Sequence, residues 1–160
     1  MIAFYEFFVR FLPYMLKGAG ITVLLTAEGL SAGFILGLLA SLARVYGNKF
    51  IRGLAVGYIE LFRGTPLLMQ LFIIYYGLPG LGIAFSREWC AFLALGLNSG
   101  AYQAEYLRGS LLAIGDGQMM AGRSIGMSRA KTIWYVILPQ ALRLAIPAWS
   151  NEPVSLLKST

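Results

Sequence analysis

Histidine is absent from this 160-residue chain, and cysteine occurs once, at Cys90. The first absence removes the commonest general base and metal ligand at neutral pH. The second excludes a disulfide within the chain. No metal-ligand cluster and no activated-nucleophile pattern takes their place, so neither a catalytic residue nor a metal site is expected, and a membrane enzyme is a poor reading. Charge is scarce as well: Asp, Glu, Lys and Arg make up 12% of the residues, against about a quarter in a soluble domain.

What fills the chain instead is apolar: 58% of the residues are hydrophobic, in several separate uncharged runs. Such runs read as membrane spans rather than as one buried core. The expectation is an all-α polytopic membrane protein of one domain, with spans at about 19–43, 54–80, 89–114 and 134–153. Ahead of them, residues 1–17 read as an interfacial segment rich in aromatics (Phe4, Tyr5, Phe7, Phe8, Phe11, Tyr14), bounded by Lys17. That stretch lacks the basic start and small-residue cleavage site of a signal peptide. In the second span Thr65 is a natural N-cap and Pro66 a natural first helical residue, so one bent span is expected, distorted near Gly64. Glu60 and Arg63, three apart, are expected to pair.

The formal charge of +6 is unevenly placed. Arg44, Lys49 and Arg52 fall between the first and second runs, and Arg108, Arg123, Arg129 and Lys131 surround the third gap. Near Gly80 to Glu88 there is only Arg87, offset by Glu88. This alternation follows the positive-inside bias and puts Gly47 and Gly126 inside and the N-terminus outside. It argues for membrane lipid, and against nucleic acid, as the surrounding partner.

Between the third and fourth runs lies GDGQMMAGRSIGMSRAKTIWYVILPQALR. Gly117 to Ile125 can form a short helix, and Gly126 suits the left-handed position after its end. Ser128 can cap a second helix to about Leu138, where Pro139 starts the next span. The product is a stiff elbow over about 116–138. Met119, Met120, Ile125 and Met127 offer it an adaptable docking face.

The stretch MAGRSIGMSRAKTIWYVILPQALR resembles the cytoplasmic EAA signature of permeases from binding-protein-dependent ABC importers. Its marks are the triplet Met120-Ala121-Gly122, Gly126 near the turn, and Leu138-Pro139. Three further stretches resemble the polar amino acid branch: Phe62-Arg63-Gly64-Thr65-Pro66-Leu67-Leu68, Ala101 to Gly109, and Asn151-Glu152 followed by Leu156 to Thr160. The resemblance implies an ABC type I importer permease fold over 18–160, with four spans visible and the family's fifth missing, so that the domain is C-terminally incomplete. It also implies three protein partners: a separate ATPase that holds ATP and Mg, a second permease subunit as homo- or heterodimer, and an extracytoplasmic solute-binding protein. The chain itself has no phosphate loop ending in Lys-Ser/Thr and is expected to carry no cofactor and perform no hydrolysis. Localisation in the cytoplasmic (inner) membrane follows.

In the family the elbow inserts into a cleft on the ATPase, which assigns coupling to Gln118, Met119, Met120, Ala121, Gly122, Arg123, Gly126, Leu138 and Pro139. Two positions depart from the pattern. Met120 stands where an acid is usual, which would retune docking, and Gly122 stands in place of alanine. Polar groups at membrane depth are the candidates for the substrate path: Glu152 and Asn151 for an amine, with Gln70, Asn98, Ser99 and Tyr102. Arg63, Gly64, Thr65, Pro66, Glu105 and Arg108 are read as structural, the last acid and base as an i,i+3 pair. An ATP-independent channel or secondary transporter is the competing class; it predicts paired acids or repeated half-motifs, and no convincing internal repeat is found.

Overall fold

The computed structural model describes residues 2–159, with side chains described from Val9 to Lys158. The side chains of Phe4, Tyr5, Phe7 and Phe8, and all of Thr160, lie outside the described residues. One helix, α1 (Ile2–Tyr46), runs unbroken through the aromatic start and the first apolar run. The N-terminal segment is therefore helical and continuous with the first span. Among the described helices only α1, over Val9–Tyr46, is long and apolar enough to cross a membrane by itself.

Asn48 begins α2 (Lys49–Gly64): its side chain accepts a hydrogen bond from the Ile51 amide at 2.9 Å. α2 lays Ala55 and Ile59 inward, and Ile59 closes a cluster with Ala40 of α1 and Ala104 further on. At Thr65-Pro66 the path bends by 105° into α3 (Leu67–Phe72), which continues through a π turn and a 3-10 turn to Leu81. The bend is sharper than a distorted span, and its chemistry differs from the expected cap. Pro66 caps α3, while the Thr65 hydroxyl turns back to donate to the Leu61 carbonyl at 2.8 Å. Gly82, at φ +83°, ends the excursion in a left-handed conformation.

Ser86 caps α4 (Arg87–Ala113), 27 residues or about 40 Å long at the usual rise. That length spans a bilayer, yet α4 is polar for a span because it is wrapped by protein: Asn98, Ser99, Gln103 and Ser110 are all buried. Its closest neighbour is α1. A Cβ built on Gly33 would stand 2.9 Å from the backbone nitrogen of Gly100, and one built on Gly100 would stand 3.0 Å from the Leu36 Cβ. Gly29 and Gly37, one turn either side of Gly33, meet α4 equally closely. Small residues every fourth position let two membrane helices touch backbone to backbone.

After α4 come α5 (Asp116–Ser124) and α6 (Arg129–Thr132), separated by Gly126 at φ +84°. The Ser128 side chain caps α6 by accepting from the Lys131 amide. A π turn over Ile133–Ile137 then leads directly into α7 (Leu138–Trp149). The helix does not stop at Pro139: the wider π turn pairs the Leu138 amide with the Ile133 carbonyl, and so absorbs the donor that proline lacks. Pro147 likewise lies within α7, and the chain breaks only at Ser150-Asn151 before α8 (Glu152–Ser159). Leu111, Ile137 and Ala141 form the core that holds α7 and the elbow to α4.

Candidate functional site

Glu152 is the first residue of α8 and is 4% exposed. A carboxylate so placed must be bonded to protein or face a wet cleft. Here both conditions hold. The Ser99 hydroxyl donates to Oε1 at 3.0 Å and the Tyr106 hydroxyl to Oε2 at 3.2 Å. The same residue borders a cleft of about 260 Å³ lined also by Thr65, Pro66, Asn98, Tyr102, Tyr106 and Ser155. Three elements build it: the corner after α2, one face of α4, and the start of α8.

The corner is tied by one side chain. Gln70 Nε2 donates one hydrogen to the Phe62 carbonyl (2.8 Å) and shares the other between the Thr65 carbonyl (3.0 Å) and the Thr65 hydroxyl (2.8 Å). Its oxygen accepts from Asn98 Nδ2 at 3.1 Å, and Asn98 also reaches the Phe62 carbonyl at 3.2 Å. The carbonyls freed by the 105° bend thus find donors inside the protein, as backbone at membrane depth must. Behind the cleft, Gln103 Nε2 bonds Ser99 Oγ at 2.9 Å and the Leu30 carbonyl at 3.1 Å, while its oxygen accepts from the Trp149 indole at 2.7 Å. The floor is therefore a continuous hydrogen-bonded layer linking α1, α4, α7 and α8.

Below this layer Glu105 gathers three cations. Arg108 grips it through Nε and Nη2, the latter at 2.8 Å; Arg44 of α1 bonds Oε1; Arg63 of α2 stands 3.9 Å from Oε2. Arg63 therefore turns to Glu105 rather than to Glu60, with which no ion pair forms among the described residues. Its guanidinium also lies over the Tyr102 ring, 5.4 Å from the centroid.

Of the six residues expected on the substrate path, Glu152, Asn98 and Tyr102 line the cleft. Ser99 and Gln70 stand behind it as hydrogen-bond partners. Asn151 is exposed and borders a different, open depression with Val154, Ser155 and Lys158. Tyr106 was not among the expected residues. Its signal was the helical spacing Ser99, Tyr102, Tyr106, which carries the polar face of α4 one turn further.

The elbow's residues fall on two sides. Met120 (64% exposed) and Ile125 (78% exposed) face outward with Ala121 and Arg123, whereas Met119 packs inward on the Leu111–Ile137–Ala141 core, and Leu138 is buried beside it. Gly122 is buried against Thr132, whose Cγ2 would lie 2.5 Å from an added Cβ. The smaller residue in place of alanine is what lets α5 close on α6. Arg129 ties the elbow to the end of α1, lying 5.7 Å over the Tyr46 ring. Among the described residues no three His, Cys, Asp or Glu side chains converge as a metal site requires.

The described residues thus form a helical fold with a polar cleft and a protruding elbow. The chain belongs to the family described as binding-protein-dependent transport system inner membrane component, whose pattern it matches over residues 33–159. It is 40% identical over 148 residues to a probable amino-acid ABC transporter permease, YckA, of Bacillus subtilis (strain 168), covering 92% of this chain and 66% of that protein. It is 42% identical to the L-cystine transport system permease TcyB of the same organism, covering 94% of this chain and 64% of TcyB. Glutamine transport system permease GlnP of Escherichia coli (strain K12) is 39% identical, with 93% and 69% covered. This chain thus spans about two thirds of the length of these relatives. Among solved structures, a chain from an amino acid ABC transporter with histidines superposes with a TM-score of 0.83 at 39% identity, over 94% of this chain and 71% of that one. A chain of the inward-facing MetNI methionine ABC transporter shares the fold, with a TM-score of 0.75 at 20% identity over 93% and 72%.

Proposed function

We propose that this chain is the membrane-spanning permease subunit of an ATP-driven amino acid importer. The observation that carries the reading is the cleft at Glu152. A buried carboxylate, oriented by Ser99 and Tyr106 and flanked by Asn98 and Tyr102, suits a substrate ammonium group. The names of the relatives, all amino-acid or cystine and glutamine permeases, support the substrate class.

In this reading a partner ATPase, with ATP and Mg, closes against the exposed side of α5, and α5–α6 transmit the push to α7. Gln118, Met120, Ala121 and Arg123 make the contact; Gly122 and Gly126 keep the elbow closed and turned. A second permease subunit completes the path, and an extracytoplasmic binding protein delivers substrate on the side of Gly82. The N-terminus of α1 then lies outside and Gly47 and Gly126 inside, the orientation that the positive-inside bias of the loops around Gly47 and Gly126 supports.

The test is radiolabelled uptake in vesicles containing the assembled transporter. Glu152→Gln replaces one acceptor oxygen and all of the charge, so the KM for a cationic or zwitterionic substrate rises at least about tenfold by loss of a charge-assisted hydrogen bond. Arg123→Glu lowers substrate-stimulated ATP hydrolysis while leaving substrate binding intact. Unchanged kinetics for Glu152→Gln would remove the amine contact, and unchanged coupling for Arg123→Glu would remove the docking role.

A further inference from the structure

We propose that the groove between α1, α4 and α7 is a site for an anionic phospholipid of the inner leaflet, held through its phosphate by Arg143. The inference rests on the proposed reading of the chain as a membrane-spanning permease with its elbow inside. It concerns a different cavity from the cleft at Glu152.

Three observations carry it. First, the groove offers an occupant apolar surface and one cation. It encloses about 600 Å³, and its walls include Leu30 and Phe34 of α1, Leu107 of α4, and Leu142 and Ile146 of α7. Ser31, Tyr106 and Trp149 also line it, but their polar atoms are engaged elsewhere. The Ser31 hydroxyl donates to the Ala27 carbonyl, the Tyr106 hydroxyl to Glu152, and the Trp149 indole to Gln103. Arg143 remains, with no ion pair or hydrogen bond among the described residues. A polar solute would leave its own groups unsatisfied against such walls, whereas a hydrocarbon chain would not.

Second, Arg143 is a charge on a lipid-facing stripe. It is exposed on α7 beside Leu144 and Ile146, themselves 54% and 57% exposed. A guanidinium so placed is costly unless it reaches water or an anion. Its planar fork of N–H donors matches phosphate geometry. An apolar groove with one cation at its end complements a molecule with an anionic head and an apolar tail, and basic pockets between membrane helices on the inner side take such head groups.

Third, the depth is right. Ala141, two residues before Arg143, packs on Leu111, close to the end of α4 at Ala113. Arg143 therefore stands at the elbow side of the groove. At the other end the Trp149 ring lies 5.8 Å from that of Phe34, and its indole reaches Gln103. Gln103 is about 15 Å up α4 from Ala113 at the helical rise, half of a hydrocarbon core of about 30 Å. A lipid of the inner leaflet runs the same way, from a phosphate at the interface to a chain end at the midplane.

The experiment measures tryptophan quenching by phospholipids brominated on an acyl chain, with the purified chain in lipid nanodiscs. Trp89→Phe with Trp134→Phe leaves Trp149, which lines the groove. Trp134→Phe with Trp149→Phe leaves Trp89, exposed at the other end of α4 and outside the groove. The probes are brominated phosphatidylglycerol, which is anionic, and brominated phosphatidylcholine, which is zwitterionic with the same chains. With Arg143 intact, Trp149 is half-quenched at a mole fraction of phosphatidylglycerol about fivefold lower than of phosphatidylcholine, the worth of one basic side chain toward an anionic head group. Trp89 responds to both lipids alike. Arg143→Gln and Arg143→Met each make the two lipids equal at Trp149, and Arg143→Lys keeps part of the preference. Unaltered quenching of Trp89 shows that these variants are folded and inserted. Equal quenching of Trp149 by the two lipids with Arg143 intact overturns the proposal, since Arg143 then only reaches to the interface. A preference that survives Arg143→Gln overturns it too, as does its abolition by excess inorganic phosphate, which would leave the groove incidental. If Trp149 is shielded from both lipids while Trp89 is quenched, protein fills the groove, as a second copy or a further helix, and the lipid site falls while the permease reading stands. If neither tryptophan is quenched, the chain does not enter the bilayer and that reading falls with the site.

Discussion

Replacing Gly122 by alanine adds one methyl group where α5 and α6 meet. Its Cβ would lie 2.5 Å from Thr132 Cγ2, 2.7 Å from Oγ1 and 3.1 Å from Cβ. Carbon atoms rest at about 3.5 to 4.0 Å, so the two arms must part by about 1 Å. Thr132 cannot step aside, because it is fully buried and its hydroxyl donates to the Ser128 carbonyl at 3.1 Å. Overpacking of this kind costs about 1–3 kcal/mol. Thr132→Ala alone loses that hydrogen bond and a buried methyl group, about 1–2 kcal/mol. In the double variant the two nearest obstacles are gone and only the Cβ of position 132 remains. The two changes therefore compensate, with a coupling of about 1–2 kcal/mol in favour of the pair. Unfolding in mixed micelles by stepwise addition of dodecyl sulfate, followed by tryptophan fluorescence, gives the four free energies of the cycle. Additivity within about 0.5 kcal/mol would refute the claim that Gly122 is there to admit Thr132.

Two other perturbations test the scaffold. Glu105→Gln removes the anion shared by Arg44, Arg63 and Arg108, and should lower stability by about 2–3 kcal/mol in the same titration; the figure falls below that of a fully buried pair because 14% to 39% of these side chains stays exposed. Gln70→Leu keeps the bulk but strips both amide donors from the corner at Thr65-Pro66 and the acceptor from Asn98. The loss should be about 1–3 kcal/mol, together with faster protease cleavage between Phe62 and Leu67; a corner as resistant as the wild type would mean that Gln70 is incidental.

The parts of the fold that rest on local chemistry were legible in the sequence. Gly126 and Ser128 announce a turn and a cap by residue type alone, and the Glu105–Arg108 pair follows from a three-residue spacing. The local rule failed at Thr65 and held only in part at Pro139, which does stand in the first turn of α7 but without a break before it. Threonine before proline reads as a cap, but the tertiary corner recruits its hydroxyl to end the preceding helix instead. Proline reads as a helix start, but a π turn beneath it removes the need for a break. Arg44 and Glu105 are 61 positions apart, and nothing in the spacing brings them together. The candidate site shows the same division. Glu152 stands out as an acid in an apolar run, whereas Gln70 and Ser99 acquire their places behind the cleft only through the packing of α3 and α8 on α4.

The contact of α1 with α4 along Gly29, Gly33, Gly37 and Gly100 has a mechanical consequence. Two helices that touch through main-chain atoms have no cushion of side chains to compress, so they cannot slide or tilt against each other by small steps. They form a chassis. In the proposed transporter, any alternation of the path between its two faces is then a motion of the α2–α3 corner or of the α7–α8 arm relative to that chassis, and the cleft at Glu152 lies on the seam where all three bodies meet.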